Sequence, residues 1–121
     1  MKPSSAGVIV AEDDADARAE LVEFLGARGI AARGVGNAAD LLGALVEQRP
    51  RVVIIDVGLP DLDGVRLAEV IAGIDARVSA IFVSGDAQSV ARARTASVSV
   101  LGVFPKPLDA EHIARMLHAL N

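Results

Sequence analysis

Val52-Val53-Ile54-Ile55-Asp56 is four β-branched apolar residues in a row, closed by a carboxylate. A run this short, with no polar residue inside it, reads as a strand buried on both faces, as in the middle of a parallel sheet. Similar runs stand on either side of it. Val8-Ile9-Val10 ends in Glu12-Asp13-Asp14, Ala80-Ile81-Phe82-Val83 ends at Ser84, and Val100-Leu101-Gly102-Val103-Phe104 runs into Pro105-Lys106. Ile30 to Val35 is diluted by small residues and reads as an edge strand.

Between these runs the apolar spacing changes to the helical period. Ala38, Leu41, Leu42, Leu45 and Val46 form one stripe, as do Leu67, Val70, Ile71 and Ile74 after Gly64. Ile113, Met116, Leu117 and Leu120 form another, after Asp109 as N-cap. Leu21, Val22 and Leu25 anchor the first helix, which Gly29 closes. A helical stretch over about 87–96 is the thinnest, with Val90 as its one large apolar residue and Arg92 and Arg94 expected in solvent. Strand and helix alternate five times, which predicts an α/β fold. The expected form is a flavodoxin-like, doubly wound (βα)5 domain with a five-stranded parallel sheet in the order 2-1-3-4-5. A barrel would need eight units. The chain reads as a single domain over 1–121 with its core at about 7–120. Such sheets bind ligands at the carboxyl ends of the strands, near the switch point between strands 1 and 3.

Composition narrows the function. Of 121 residues 52% are apolar, 22 are alanine and three are aromatic, all Phe; Trp, Tyr and Cys are absent. That excludes a disulfide scaffold and a thiolate zinc site. A formal charge of −4 and a pI near 5.0 exclude binding driven by nucleic-acid phosphates, and the lack of aromatics excludes base stacking. Mean hydropathy of +0.44 excludes disorder. The longest uncharged stretch, between Arg94 and Lys106, is 11 residues, too short to cross a membrane. Met1 to Gly7 leads into no apolar signal segment, so a cytoplasmic location is expected.

The expected topology gathers Glu12, Asp13, Asp56, Ser84 and Lys106 at one rim. Three neighbouring carboxylates repel one another. A hard cation, Mg²⁺ or Ca²⁺, relieves that repulsion. A lysine and a hydroxyl beside it suit a tetrahedral anion such as a phosphoryl group. Each residue also has a plainer reading. An acidic run is commonly a helix N-terminus favoured by the macrodipole, and that reading is kept for Asp14 and Asp16. Asp56 alone could be a turn residue, Ser84-Gly85-Asp86 a turn and N-cap, and Lys106 a solvated loop lysine. Their joint arrival at carboxyl ends favours the site.

Four segments carry a family resemblance. They are Val8-Ile9-Val10-Ala11-Glu12-Asp13-Asp14, Ile54-Ile55-Asp56-Val57-Gly58-Leu59-Pro60-Asp61-Leu62-Asp63-Gly64, Ile81-Phe82-Val83-Ser84-Gly85 and Pro105-Lys106-Pro107. Together they make the chain similar to the receiver domain of bacterial two-component response regulators, of the chemotaxis-response-regulator type, over roughly residues 7–120. The resemblance implies that Asp56 is a phosphoacceptor whose carboxylate attacks the phosphorus of a phosphohistidine on a partner. It implies Mg²⁺ held by Asp13 directly, by Glu12 through water, by Asp56 and by the backbone carbonyl of Gly58. Lys106 would pair with the phosphoryl oxygens, the Ser84 hydroxyl would bond the attached phosphoryl group, and the Lys106-Pro107 bond would be cis. The implied partner is a sensor histidine kinase or histidine phosphotransfer protein docking near the first helix and the strand-end loops. A downstream effector, or a linked output or kinase domain, would read the output from the face of residues 87–96, strand 5 and the last helix. Neither direct nucleic-acid contact nor a membrane is implied. The domain would be no enzyme beyond its own phosphotransfer and slow aspartyl-phosphate hydrolysis.

The sequence departs from the family pattern in places. Val103 stands three before the lysine, where an aromatic is common, and Phe104 should face the other way by strand alternation. A signal is therefore expected to pass through Ser84 and the loops near residues 87–96. Gly58 has no side chain to position or block a water. Ser99 stands where Gly is common, a mild strain if that backbone is left-handed. His112 and His118, six apart, read as surface residues. Two rival readings stay open: a receiver-like interaction module that is never phosphorylated, and a dehalogenase-type phosphatase. The second needs an Asp where Gly58 stands. A nucleotide-binding loop follows none of the strands.

Overall fold

The structure, a computed structural model, describes residues 7–86 and 99–120. The helical stretch expected over 87–96 lies outside the described residues, as do Val90, Arg92 and Arg94. Strands β1 (Val8–Ala11), β2 (Ala32–Val35), β3 (Val52–Asp56), β4 (Ser79–Ser84) and β5 (Ser99–Pro105) form one sheet. Its order is β2-β1-β3-β4-β5 and every pairing is parallel, as expected. The helices are α1 (Ala15–Ala27), α2 (Ala38–Gln48), α3 (Gly64–Ile74) and α4 (Ala110–Ala119). No helix among the described residues is long and apolar enough to cross a membrane.

The continuous apolar runs explain the layering. Every residue of β1 and β3 is buried, while β2, at the sheet edge, buries fully only Val35. Strand alternation sends Ile9, Val53, Ile55 and Phe82 to one face, against Leu41 and Leu45 of α2 and Leu67 and Ile71 of α3. Val10, Ile54, Ile81 and Val83 go to the other, against Leu21 and Leu25 of α1 and Ile113 and Leu117 of α4.

The helical stripes need correction. In α2 the buried set is Ala38, Leu41, Ala44 and Leu45, while Val46 is 68% exposed. In α3 it includes Val65, Leu67, Ala68 and Ile71, whereas Val70 and Ile74 face outward. In α4 Ala114 joins Ile113 and Leu117, and Leu120 lies past the last turn, exposed. The alanines decide the rotation. A methyl lets the helix axis approach the sheet closely, so α2 turns Ala44 inward and Val46 outward, and α3 turns Ala68 inward and Val70 outward.

Local caps follow the sequence. Asp14 accepts from the N–H groups of Asp16 and Ala17 and starts α1, as the plainer reading of that residue holds. Asp109 starts α4 by accepting from His112 N–H. Gly29, with φ of 79°, closes α1 in the left-handed conformation. Leu101 is an extra residue in β5, because Ala80 pairs with Val100 and Ile81 with Gly102. Even so, Val103 packs on the α2/α3 face and Phe104 is buried on the α1/α4 face, the opposition expected of them. Ser99 lies in extended β5, so the left-handed strain considered for it does not arise.

Candidate functional site

β1 delivers Glu12 to the rim, where its N–H donates to the Val35 carbonyl at 3.0 Å. β3 ends on Asp56, which is only 7% exposed. Asp56 Oδ1 accepts from Gly58 N–H at 2.9 Å, and Oδ2 accepts from Lys106 Nζ at 2.9 Å. Lys106 Nζ also lies 3.7 Å from Glu12 Oε1, and Glu12 Oε2 accepts from Asp14 N–H at 3.1 Å. The Lys106 N–H donates to the Ser84 carbonyl at 3.1 Å, which ties the lysine to the end of β4; the bond that follows it, Lys106-Pro107, is cis. The loop after β3 is held by Gly64, where a Cβ would come within 2.7 Å of Val57 Cα and 2.9 Å of the Asp56 carbonyl oxygen.

Glu12, Asp13 and Asp56 each offer a carboxylate oxygen, and these atoms lie within 4.8 Å of one another. This all-oxygen, anionic donor set suits a hard divalent cation. Burial pushes Glu12 up to about 7, and the hydrogen bond and charge of Asp56 add to that against the opposing Asp14 N–H. Burial also disfavours the Asp56 anion, but the Gly58 N–H, Lys106 and Glu12 outweigh it and hold Asp56 below the usual carboxylate range. The hydrogen bond to Asp56 raises Lys106, and the charges of the acidic cluster contribute. At neutral pH the centre is therefore an anionic Asp56 against a cationic Lys106.

Ser84 is buried at the end of β4, one residue past Val83, the sheet partner of Asp56. Its hydroxyl accepts from Asp86 N–H at 3.0 Å and donates to the Asp86 carbonyl at 3.1 Å, so the turn reading also holds for it. Glu12, Asp13, Asp56 and Lys106 are brought together as expected, and Gly58 joins them through its N–H. His112 and His118 are exposed, as expected. His112 meets the Phe104 ring edge-on at 5.1 Å, and His118 Nε2 lies 2.9 Å from the Arg28 carbonyl oxygen.

Two residues escaped the sequence reading. The Asp61 carboxylate accepts from Ala38 N–H at 2.8 Å and Ala39 N–H at 3.1 Å, so the loop after the acceptor caps α2. Arg18 Nη1 donates to the Glu12 carbonyl at 2.9 Å. Gly34 in the edge strand and Gly36 just past its end were the signal for Arg18, because small residues there leave room for a crossing chain. A groove of about 550 Å³ also opens beside Asp56 and Lys106, floored by Leu21 and Phe24 of α1 and by Pro107 and Leu108.

The family model for the response regulator receiver domain matches residues 8–118. The chain belongs to this family. This receiver domain is 31% identical to the response regulator receiver protein CpdR of Brucella abortus, over 92% of the chain and 85% of CpdR. It is 29% identical to the DNA-binding transcriptional regulator NtrC of Azospirillum brasilense, over 98% of the chain and 25% of NtrC. The chain thus spans about a quarter of the length of that larger regulator. A solved receiver domain from Methylobacillus flagellatus superposes with a TM-score of 0.84 at 23% identity, covering 94% of this chain and 97% of the other. A receiver is a signalling domain and not a classical enzyme, which sets the phosphatase reading aside.

Proposed function

We propose that this receiver accepts a phosphoryl group on Asp56 from a phosphohistidine, in a Mg²⁺-dependent step. The carrying observation is a buried Asp56 carboxylate, bonded to Lys106 at 2.9 Å, inside a carboxylate cluster spanning no more than 4.8 Å. An Asp56 oxygen attacks phosphorus, the new P–O bond forms as the P–N bond breaks, and the imidazole leaves with the electron pair and regains its proton from solvent. Lys106 shifts its ammonium from the carboxylate to a phosphoryl oxygen, so the charge it balances in the resting state is the charge it balances in the product. Ser84 turns its hydroxyl from the Asp86 backbone to the attached group. Glu12, Asp13, Asp56 and the Gly58 carbonyl would hold Mg²⁺, which supplies neutralisation of the phosphoryl oxygens. Gly58 leaves the acyl phosphate open to water on one side, and slow hydrolysis resets the domain.

The apolar floor of the groove, Leu21, Phe24, Pro107 and Leu108, suits a helix of the donor protein, a sensor histidine kinase or histidine phosphotransfer protein. With Phe104 packed against His112 on the α1/α4 face, the response passes through Ser84 and its loop, not an aromatic swing. The reader of that response is a separate effector or a linked output or kinase domain, and the setting is the cytoplasm. The test is transfer from a phosphorylated histidine donor with Mg²⁺ or with a chelator. Label moves to the receiver only with Mg²⁺ on this account; equal transfer under chelation overturns the metal dependence, and none in either condition overturns the acceptor role.

A further inference from the structure

Arg18 lies in the first turn of α1, its own N–H donating to the Asp14 carbonyl at 2.9 Å. Its guanidinium leaves the helix and donates to the Glu12 carbonyl. To arrive there the side chain crosses the edge strand. A Cβ on Gly34 would come within 2.8 Å of Arg18 Cγ and 3.1 Å of Cδ, and one on Gly36 within 2.9 Å of Nη1. Gly34 lies in β2 and Gly36 just past its end at Val35, and neither has a positive φ, so the backbone itself does not call for glycine at either place. Glycine weakens a strand, and here Arg18 occupies the space a Cβ would take, with Val22 Cγ2 also within 3.3 Å of the Gly34 position.

The bond completes the restraint of Glu12. Its N–H is held by Val35, its carboxylate by Asp14 N–H, and its carbonyl by Arg18. The Glu12–Asp13 peptide plane is thereby fixed between two successive carboxylates of the acidic cluster. The neighbouring arginine of the same edge, Arg33, is engaged elsewhere, with Glu47 at 2.8 Å.

We propose that Arg18 is a positioning residue for the metal-binding pair Glu12 and Asp13, admitted to its place by Gly34 and Gly36. This rests on the reading that the acidic cluster holds Mg²⁺. Charge and position predict opposite signs. Through space a guanidinium repels a divalent cation, so its removal for charge reasons alone would tighten Mg²⁺ binding. Loss of an outer hydrogen bond that orients metal ligands weakens binding, by 10–100-fold in typical cases.

The experiment is a Mg²⁺ titration of the whole chain by calorimetry, with a metal-free melting curve alongside, for the wild type, Arg18→Ala, Arg18→Lys and Gly36→Ala. Arg18→Ala weakens Mg²⁺ binding roughly tenfold. Arg18→Lys, which keeps a donor, recovers part of the loss. Gly36→Ala keeps the arginine and its charge but displaces the guanidinium, and it weakens binding in the same direction. Unchanged or tighter binding in Arg18→Ala, or wild-type binding in Gly36→Ala, overturns the proposal. If Arg18→Ala fails to fold, Gly36→Ala and Arg18→Lys decide it. A wild type that binds no Mg²⁺ overturns the metal reading and this inference together, whereas a binding wild type with an indifferent Arg18→Ala overturns the inference alone.

Discussion

At the amino ends of the strands the sheet closes with backbone and small hydroxyls. Arg51 N–H meets the Gly7 carbonyl at 3.3 Å, Ser79 N–H meets the Arg51 carbonyl at 3.0 Å, and Ser79 Oγ donates to Ser99 Oγ at 3.2 Å. At the carboxyl ends of the same strands stand Asp56 and Ser84, the two buried polar side chains among the described residues. Asp56 has Lys106 and Glu12 around it. The same strands and register serve both ends, so stability does not require the second arrangement. Burying a carboxylate is costly unless it is paired, and clustering three raises that cost further. The carboxyl end therefore carries the marks of a site, and the amino end those of a sheet edge that only needs its backbone satisfied.

The sharpest way to break this contrast is to remove the cation. Lys106→Ala should slow phosphorylation of Asp56 by roughly a hundredfold, as loss of one transition-state charge partner does elsewhere. The check is the rate of phosphoprotein formation at saturating Mg²⁺. A rate within a few-fold of wild type would reduce Lys106 to a structural partner of Asp56.

Next comes the cost of the cluster itself. Asp13→Asn should weaken Mg²⁺ binding yet raise the melting temperature of the metal-free protein by a few degrees, because one of three mutually repelling carboxylates is gone. Calorimetric titration and a melting curve in chelator check both halves. A lower metal-free melting temperature would mean that the acidic cluster stabilises the fold unaided.

A smaller effect is expected where the acceptor loop meets α2. The N–H groups of Ala38 and Ala39 hold Asp61 below its ordinary value of 3.8. A depressed folded value contributes stability that is present above the unfolded value and lost as pH falls through the folded one. Asp61→Ala should therefore melt below wild type at pH 7, with the gap closing below pH 3.8. A gap that persists unchanged in acid would show that the carboxylate charge is not what caps the helix. The smallest effect belongs to the amino end. Ser79→Ala and Ser99→Ala should each change stability by no more than about 0.5 kcal/mol. Neither should change the phosphorylation rate.

The sheet was legible in the sequence because β1, β3 and β4 each hold an unbroken apolar run that leads straight into a polar residue, Glu12, Asp56 or Ser84, so strand, limit and site residue were read together. Glu12, Asp13, Asp56 and Lys106 followed from that. The rotation of α2 and α3 was not legible. Ala44 and Ala68 weigh little in a hydrophobic count beside Val46 and Val70, yet close approach to the sheet favours the methyl. Asp61 and Arg18 were hidden for another reason. Their partners are backbone groups of other elements, Ala38 and Ala39 for one and Glu12 for the other, and a backbone group leaves no mark in the sequence. The Gly34 and Gly36 pair was the one trace, and it acquires meaning only once β2 is seen beside α1.

The central claim is that the buried carboxylate at the end of β3 is the acceptor. Intact mass measurement after incubation with acetyl phosphate and Mg²⁺ tests it most directly, on wild type and Asp56→Asn side by side. The wild type should gain the mass of one phosphoryl group and Asp56→Asn none; an equal gain in both proteins would contradict the account.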